Sequence, residues 1–223
     1  MSDGHDRSIK IIANGPLRVT GAPLYCTRPA RNKADRPVGW DRGANLETPE
    51  AYSLCRCGAS ANKPFCDGSH KSVDFDDAET ADRAPTAERR KKFPGSEVVL
   101  TDDETLCCHA GFCVRDHAKA WTLVENASDP ETRDCLIAMI ENCPTGRLEY
   151  YEPPDETPIE RALHPEIGVV KNGPLWARGY IPVEGSDGET YEVRNRVTLC
   201  RCGASKNKPF CDGAHLDIHF DAD

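Results

Sequence analysis

Long hydrophobic runs are missing from this 223-residue chain. No stretch approaches the roughly 20 apolar residues that a membrane-spanning helix needs. The N-terminus, MSDGHDRSIK, is polar and lacks the apolar segment of a secretory signal, so a cytoplasmic location is expected. Apolar residues make up only 38% of the chain, too little for one thick core, which points to small modules stapled by something besides packing. A basic surplus is missing as well. The formal net charge of -9 leaves no broad Lys/Arg face to neutralise phosphates and argues against a nucleic-acid surface. There is no phosphate-cradling glycine loop after a strand, no Ser/His/Asp spacing and no flavin or nicotinamide fingerprint, so an enzyme acting on an organic substrate is not expected.

Cysteine, by contrast, is plentiful. Twelve are present, and in a compartment where thiols stay reduced, clustered cysteines mean metal rather than disulfides.

An internal repeat organises them. The segment CRCGASANKPFCDGSH at 55–70 returns as CRCGASKNKPFCDGAH at 200–215, differing only at Ala61/Lys206 and Ser69/Ala214. Cys55, Cys57, Cys66 and His70 recur as Cys200, Cys202, Cys211 and His215 at one offset of 145 residues, and Phe75 recurs as Phe220. Upstream, Asn14-Gly15-Pro16-Leu17 returns as Asn172-Gly173-Pro174-Leu175 at an offset of 158, so the first copy carries 13 extra residues, expected as a loop in the polar stretch 28–45. The apolar runs Ile9–Ile12, Leu17–Val19, Ile167–Val170 and Leu175–Ala177 flank these Asn-Gly-Pro turns and read as short strands.

Each copy has the form Cys-x-Cys, eight residues, Cys-Asp-Gly-x-His. With Asp67 as an N-cap, Cys66 sits at the mouth of a helix and His70 one turn inside, facing one metal centre. Cys55 and Cys57, alternate residues at a strand end, share a face; Gly58 lets the chain turn beneath, and Pro64 fixes the approach to the third cysteine. This pattern resembles the CDGSH, or mitoNEET-like, iron–sulfur family throughout both segments. The resemblance implies two [2Fe–2S] clusters, one on Cys55, Cys57, Cys66 and His70 and one on Cys200, Cys202, Cys211 and His215. It implies an α+β fold in which β-cap strands, a cluster-binding loop and a short helix make each module. Family members swap strands across a twofold axis; with both copies in one chain, an internal pseudo-dimer and a monomeric protein are expected. Structural zinc on the same Cys3His ligands is the alternative. Histidine in place of one thiolate raises the potential and is expected to make the cluster acid-labile where imidazole titrates.

Between the copies lies a third module. The sequence divides into a first CDGSH domain at 1–75, a charged linker at 76–92 with a solvated basic run Arg89–Lys92, a ferredoxin-like α+β domain at 93–154 and a second CDGSH domain at 155–223. The central domain has a strand-like Glu97–Leu100 and a helix with Ser128 or Asp129 as N-cap, Pro130 in the first turn and Leu136, Met139, Ile140 and Cys143 on one stripe. Its Cys107-Cys108-His109-Ala110-Gly111-Phe112-Cys113 run and distant Cys143-Pro144 resemble a single-cluster bacterial ferredoxin in which Ala110 replaces the middle cysteine. Cys107, Cys113 and Cys143 then imply a [3Fe–4S] cluster, while Cys108 or His109 as a fourth ligand would restore [4Fe–4S]; a packing domain without a cluster is the remaining alternative. Cys135 and Cys26 read as small buried hydrophobes. Trp40, Trp121 and Trp176 read as cores or caps, and His5, His117, His164 and His219 as surface groups. Electron transfer with a redox partner protein is the expected function, with cluster delivery to an apo-protein acceptor as the alternative.

Overall fold

The computed structural model describes residues 7–115 and 118–222; His5 and His117 lie outside them. The fold is a small α+β assembly, mostly sheet with few helices. Strands β1 (Ser8–Ile11), β2 (Leu17–Thr20), β3 (Leu24–Arg31), β4 (Pro37–Leu46) and β5 (Ala51–Leu54) form the first copy. The central region adds β6 (Lys91–Pro94), β7 (Val99–Asp102), the two-residue strands β8 (Val114–Arg115) and β9 (Ala118–Lys119), and β10 (Leu148–Tyr151). The second copy is built from β11 (Glu166–Val170), β12 (Leu175–Arg178), β13 (Val183–Glu184) and β14 (Arg196–Leu199). Every strand read from the Asn-Gly-Pro flanks is present, because each alternates buried with less buried residues or is buried throughout.

The pairing crosses between the copies. In one sheet, β1 pairs antiparallel with β2 and β2 with β5, while the free edge of β1 takes β13 of the second copy in parallel, Ile9 opposite Val183. The other sheet reciprocates: β11 pairs with β12 and β12 with β14, and the free edge of β11 takes β3 of the first copy in parallel, Val169 opposite Cys26. Side chains of both copies, among them Ile9, Val19, Leu54, Ile167, Val183 and Leu199, interleave in a single core. Each sheet therefore has no complete set of strands without the other copy, and the buried apolar face is shared.

The insertion expected as a loop is instead a hairpin. Strands β3 and β4 pair along their length, and the Asn32 carboxamide accepts from the Ala34 and Arg36 amides to shape the turn. Its outer strand is largely exposed, so alternation of apolar residues, the usual strand signal, is absent. What anchors the arm is Trp40, stacked 5.0 Å from Phe112 and 4.6 Å from Trp176, with its indole N–H donated to the Asn142 carbonyl.

The basic run also departs from its solvated reading. Arg90 donates to the Gly146 and Arg147 carbonyls and pairs with Glu149, and Arg89 pairs with Asp103. Only Lys91 and Lys92 are exposed, at the start of β6. The segment before it lies along the second copy: Thr80 and Ala81 donate their amides to the Lys208 carbonyl, and Glu79 accepts from Ser186 and Tyr191.

In the central region, β6, β7 and β10 make a three-stranded antiparallel sheet, with β7 two residues later than the sequence suggested. The helix Pro130–Asn142 packs Leu136, Met139 and Ile140 onto it. Asp129 is its N-cap, accepting from the Thr132 amide, and Cys143 stands at its C-cap. Among the described residues no helix is long and apolar enough to cross a membrane.

Candidate metal centres

Each repeated motif is closed by the same backbone clasp. The Cys55 amide donates to the Pro64 carbonyl and the Cys66 amide to the Ser53 carbonyl, which folds the loop back on the end of β5 and brings sequence-distant cysteines together. In the second copy the Cys200 amide donates to Pro209 and the Cys211 amide to Thr198. Ser60 and Ser205 brace the loops by donating to the Phe65 and Phe210 carbonyls, each at 2.7 Å. Asp67 and Asp212 accept the amides of Ala61 and Lys206, and of Ser69 and Ala214. The Ser69 hydroxyl, with the Ser69 and Ala61 amides, holds the Asp67 carboxyl well below the usual range. The helix expected after Asp67 is shorter than foreseen. It is a single turn at Ser69–Lys71, and Ala214–Asp217 in the second copy, because each starts from a left-handed glycine and runs out within a turn.

The side chains gather in pairs. Cys55 Sγ lies 3.7 Å from Cys57 Sγ, and Cys66 Sγ lies 3.5 Å from His70 Nδ1. The second copy gives 3.8 Å for Cys200 and Cys202, and 3.3 Å for Cys211 and His215. Two thiolates on one tetrahedral metal at about 2.3 Å stand about 3.8 Å apart, and a thiolate with an imidazole about 3.6 Å apart. Each pair thus has the span of two ligands on one iron. Among the described residues no three His, Cys, Asp or Glu side chains are arranged to hold a single ion. A binuclear centre, with the cysteine pair on one metal and the Cys/His pair on the other, would fit that donor set.

Burial controls the protons. In the second copy the hydrogen bond between the Cys200 and Cys202 sulfurs, together with burial, pushes Cys200 well above its ordinary value, while the same bond draws Cys202 down. Burial pushes Cys211 up to about 12 and lowers His215. Buried thiols hold their protons until a metal displaces them. Two arginines that the sequence reading passed over frame the motif. Arg56 donates to the Gly15 and Ile12 carbonyls and Arg201 to Gly173 and Val170, tying each cysteine loop to its own Asn-Gly-Pro turn. Their repetition at the motif offset was the available signal.

The two loops meet. Gly58 has φ +79 and Gly203 φ +82, and a Cβ at either would strike the backbone of Cys202 or Cys57 in the opposite copy. The glycines therefore serve a close approach as well as the turn inferred from the sequence.

The central cysteines form a third site. Cys107, Cys108, Cys113 and Cys143 line one small cavity with His109, Thr145 and Arg147. His109 at φ +59 and Gly111 at φ +82 curl the loop around it. Burial pushes Cys113 up to about 11 and Cys108 well above its ordinary value. Arg147, bound to Asp102 through two nitrogens, has its pKa raised first by those bonds and then by Cys107, so a guanidinium faces the sulfurs. Cys135 stays on the helix beside Met139 and Arg115, outside this cavity, and Cys26 lies in β3.

This third site abuts the second quartet. The His109 ring lies against Gly213, two residues before His215.

Comparison with known families finds two family models in the chain. The model described as iron-binding zinc finger CDGSH type matches residues 14–71 and 172–216, and the model described as divergent 4Fe-4S mono-cluster matches residues 93–153. No curated protein and no solved structure matches the chain. By these matches, two CDGSH-type iron-binding domains flank a divergent 4Fe–4S mono-cluster domain.

Proposed function

We propose that this is a multi-cluster electron-transfer protein, with a [2Fe–2S] cluster on Cys55, Cys57, Cys66 and His70, another on Cys200, Cys202, Cys211 and His215, and a third cluster on Cys107, Cys113 and Cys143. The observation that carries the reading is contiguity: the second quartet touches the central cavity through His109 and Gly213, and touches the first quartet through the Gly58/Cys202 and Gly203/Cys57 contacts. Bound clusters supply one-electron chemistry at a potential set by ligand type, burial and hydrogen bonds. The chain's own residues set those terms: Arg147 places positive charge beside Cys107, and the apolar shared core keeps water from the inner cysteines.

The reciprocal pairing of β1 with β13 and β3 with β11 supports an internal pseudo-twofold pair and a monomeric chain. The central cluster is [3Fe–4S] on three thiolates. Because Cys108 lines the same cavity, [4Fe–4S] is a second reading that the family match favours. Its partner is a soluble redox protein, and no organic substrate is turned over. Iron and acid-labile sulfide analysis distinguishes the options, at about seven irons per chain for a three-iron centre, about eight for a four-iron centre and about four for an empty one. Reversible reduction with cluster retention, in the presence of an apo-ferredoxin, supports electron transfer. Rapid migration of the absorbance to the apo-ferredoxin refutes it in favour of a cluster carrier.

A further inference from the structure

The two quartets share their sequence and differ in their surroundings. In the first copy Cys57, Pro64, Phe65, Cys66 and Gly68 are only half-buried, while their counterparts Cys202, Pro209, Phe210, Cys211 and Gly213 are buried. The cover over the second comes from outside the repeat. A Cβ at Gly213 would lie 2.5 Å from His109 Cδ2, so the central loop rests directly on the Cys-Asp-Gly-Ala-His turn. Asn207 donates to the Thr105 carbonyl at 3.0 Å, and the 79–81 segment is hydrogen-bonded along Lys208. At Gly68 the corresponding space holds nothing within 4 Å.

We propose that the quartets are unequal by construction: the first is a solvent-facing ligand-exchange site, and the second is sealed by His109 and the 105–109 loop of the central domain. The inference rests on the iron–sulfur reading above. At the first site a chelating carboxylate or thiolate from solution can reach the metal beside the half-buried Cys66, although His70, like His215, is itself buried. The chelator replaces the sulfur, which takes up a proton, and the imidazole, which leaves as the neutral ring, with no change in oxidation state. At the second site the same substitution requires the central loop to lift away first, and such local opening slows exchange exponentially with its free energy.

The test uses the full cluster-loaded chain, challenged with excess ethylenediaminetetraacetate. Binuclear iron is followed by visible absorbance and by paramagnetic resonance of reduced aliquots. Two phases of equal amplitude are expected, the slower by about tenfold. In His109→Gly, which keeps the left-handed backbone at that position, the slow phase should accelerate toward the fast one while the fast phase is unchanged. Chains with one quartet disabled assign the phases: Cys200→Ala/Cys202→Ala should retain only the fast phase, and Cys55→Ala/Cys57→Ala only the slow one. A single rate in the fully loaded chain, a slow phase untouched by His109→Gly, or the reverse assignment overturns the proposal. Absence of binuclear iron from the starting protein overturns the iron–sulfur reading itself.

Discussion

Replacing Arg196 with methionine should weaken the joint between the second copy and the central domain more than any other single polar change at that seam. The side chain is 1% exposed, on β14, and reaches across the seam. One terminal nitrogen donates to the Ile140 and Cys143 carbonyls at 2.6 and 2.9 Å, and the other donates to the Leu148 carbonyl at 3.0 Å and pairs with Glu160. Methionine replaces most of the volume but none of the donors, so the Cys143 and Leu148 carbonyls lose the guanidinium, while the Ile140 carbonyl keeps only the Cys143 amide and the largely buried Glu160 carboxylate only Asn195. Removing one member of a buried ion pair costs about 3–5 kcal/mol, and the unpartnered Arg196 Nε, whose burial penalty disappears, offsets part of that. A net loss of about 3 kcal/mol at a urea slope of about 2–3 kcal/mol/M lowers the unfolding midpoint by about 1–1.5 M. Circular dichroism reports the fold, and visible absorbance reports the central site, because two of the affected carbonyls flank Cys143. Adding Glu160→Gln should recover about 1 kcal/mol by removing the stranded charge. A midpoint within about 0.3 M of wild type would refute the reasoning, since it would mean that the carbonyls find water as readily as they found the guanidinium.

Glycine-to-alanine changes in the cysteine loops should separate backbone strain from collision. Gly58→Ala and Gly203→Ala incur both and should lower the melting temperature sharply, whereas Gly68→Ala, at φ +91 in open space, should lose only the left-handed penalty of about 1 kcal/mol; equal effects would refute the close approach. Trp40→Ala should cost about 3–5 kcal/mol and abolish part of the near-ultraviolet circular dichroism, because the indole fills the space between Phe112 and Trp176; a loss under about 1 kcal/mol would show that the hairpin is not anchored there. Asp129 caps its helix as a carboxylate whose pKa the Thr132 amide and hydroxyl hold low. The folded pKa lies below the unfolded one, so the cap's stabilisation is complete above the unfolded value and fades as pH falls through the folded one. Asp129→Asn, which still accepts a hydrogen bond, should therefore flatten the acid limb of a melting-temperature profile, and an unchanged limb would contradict that account.

The elements most legible in the sequence were those that a local rule dictates. The quartets showed because metal ligands admit few spacings, the four flanking strands because apolar runs bracket an Asn-Gly-Pro turn, and the central helix because Asp129, Pro130 and the Leu136/Met139/Ile140 stripe agree with one another. What stayed hidden depended on partners far along the chain. The outer half of β4, 41–45, is exposed throughout, so its alternation carries no apolar signature, and only Trp40 hinted that the hairpin touches anything. Arg89 and Arg90 looked like solvent-facing charge until Asp103 and Glu149, on other elements, supplied their counter-ions. The helix after Asp67 was overestimated because an i, i+4 spacing was taken for a full helix, when a left-handed glycine and one turn suffice to align Cys66 with His70.

That distinction bears on how the duplicated sites differ. Everything that recurs at the offset of 145 residues, the clasp, the braces, the capping aspartates and the arginines, is symmetric in the fold as well, so the motif shapes the same cysteine and histidine arrangement twice over. Everything that breaks the symmetry comes from residues without a repeat: Trp40 against Trp176, Thr80 on Lys208, His109 on Gly213, and Arg196 reaching Cys143. All four contacts fall on the second copy, and none covers the first quartet. Access, dielectric and local stability at a metal centre are set by the shell around the ligands rather than by the ligands alone. Two sites with the same donors should therefore differ in exchange rate and potential, and the residues that tune that difference lie in the hairpin, the 79–81 segment and the 105–109 loop, where a comparison of motifs alone would never look.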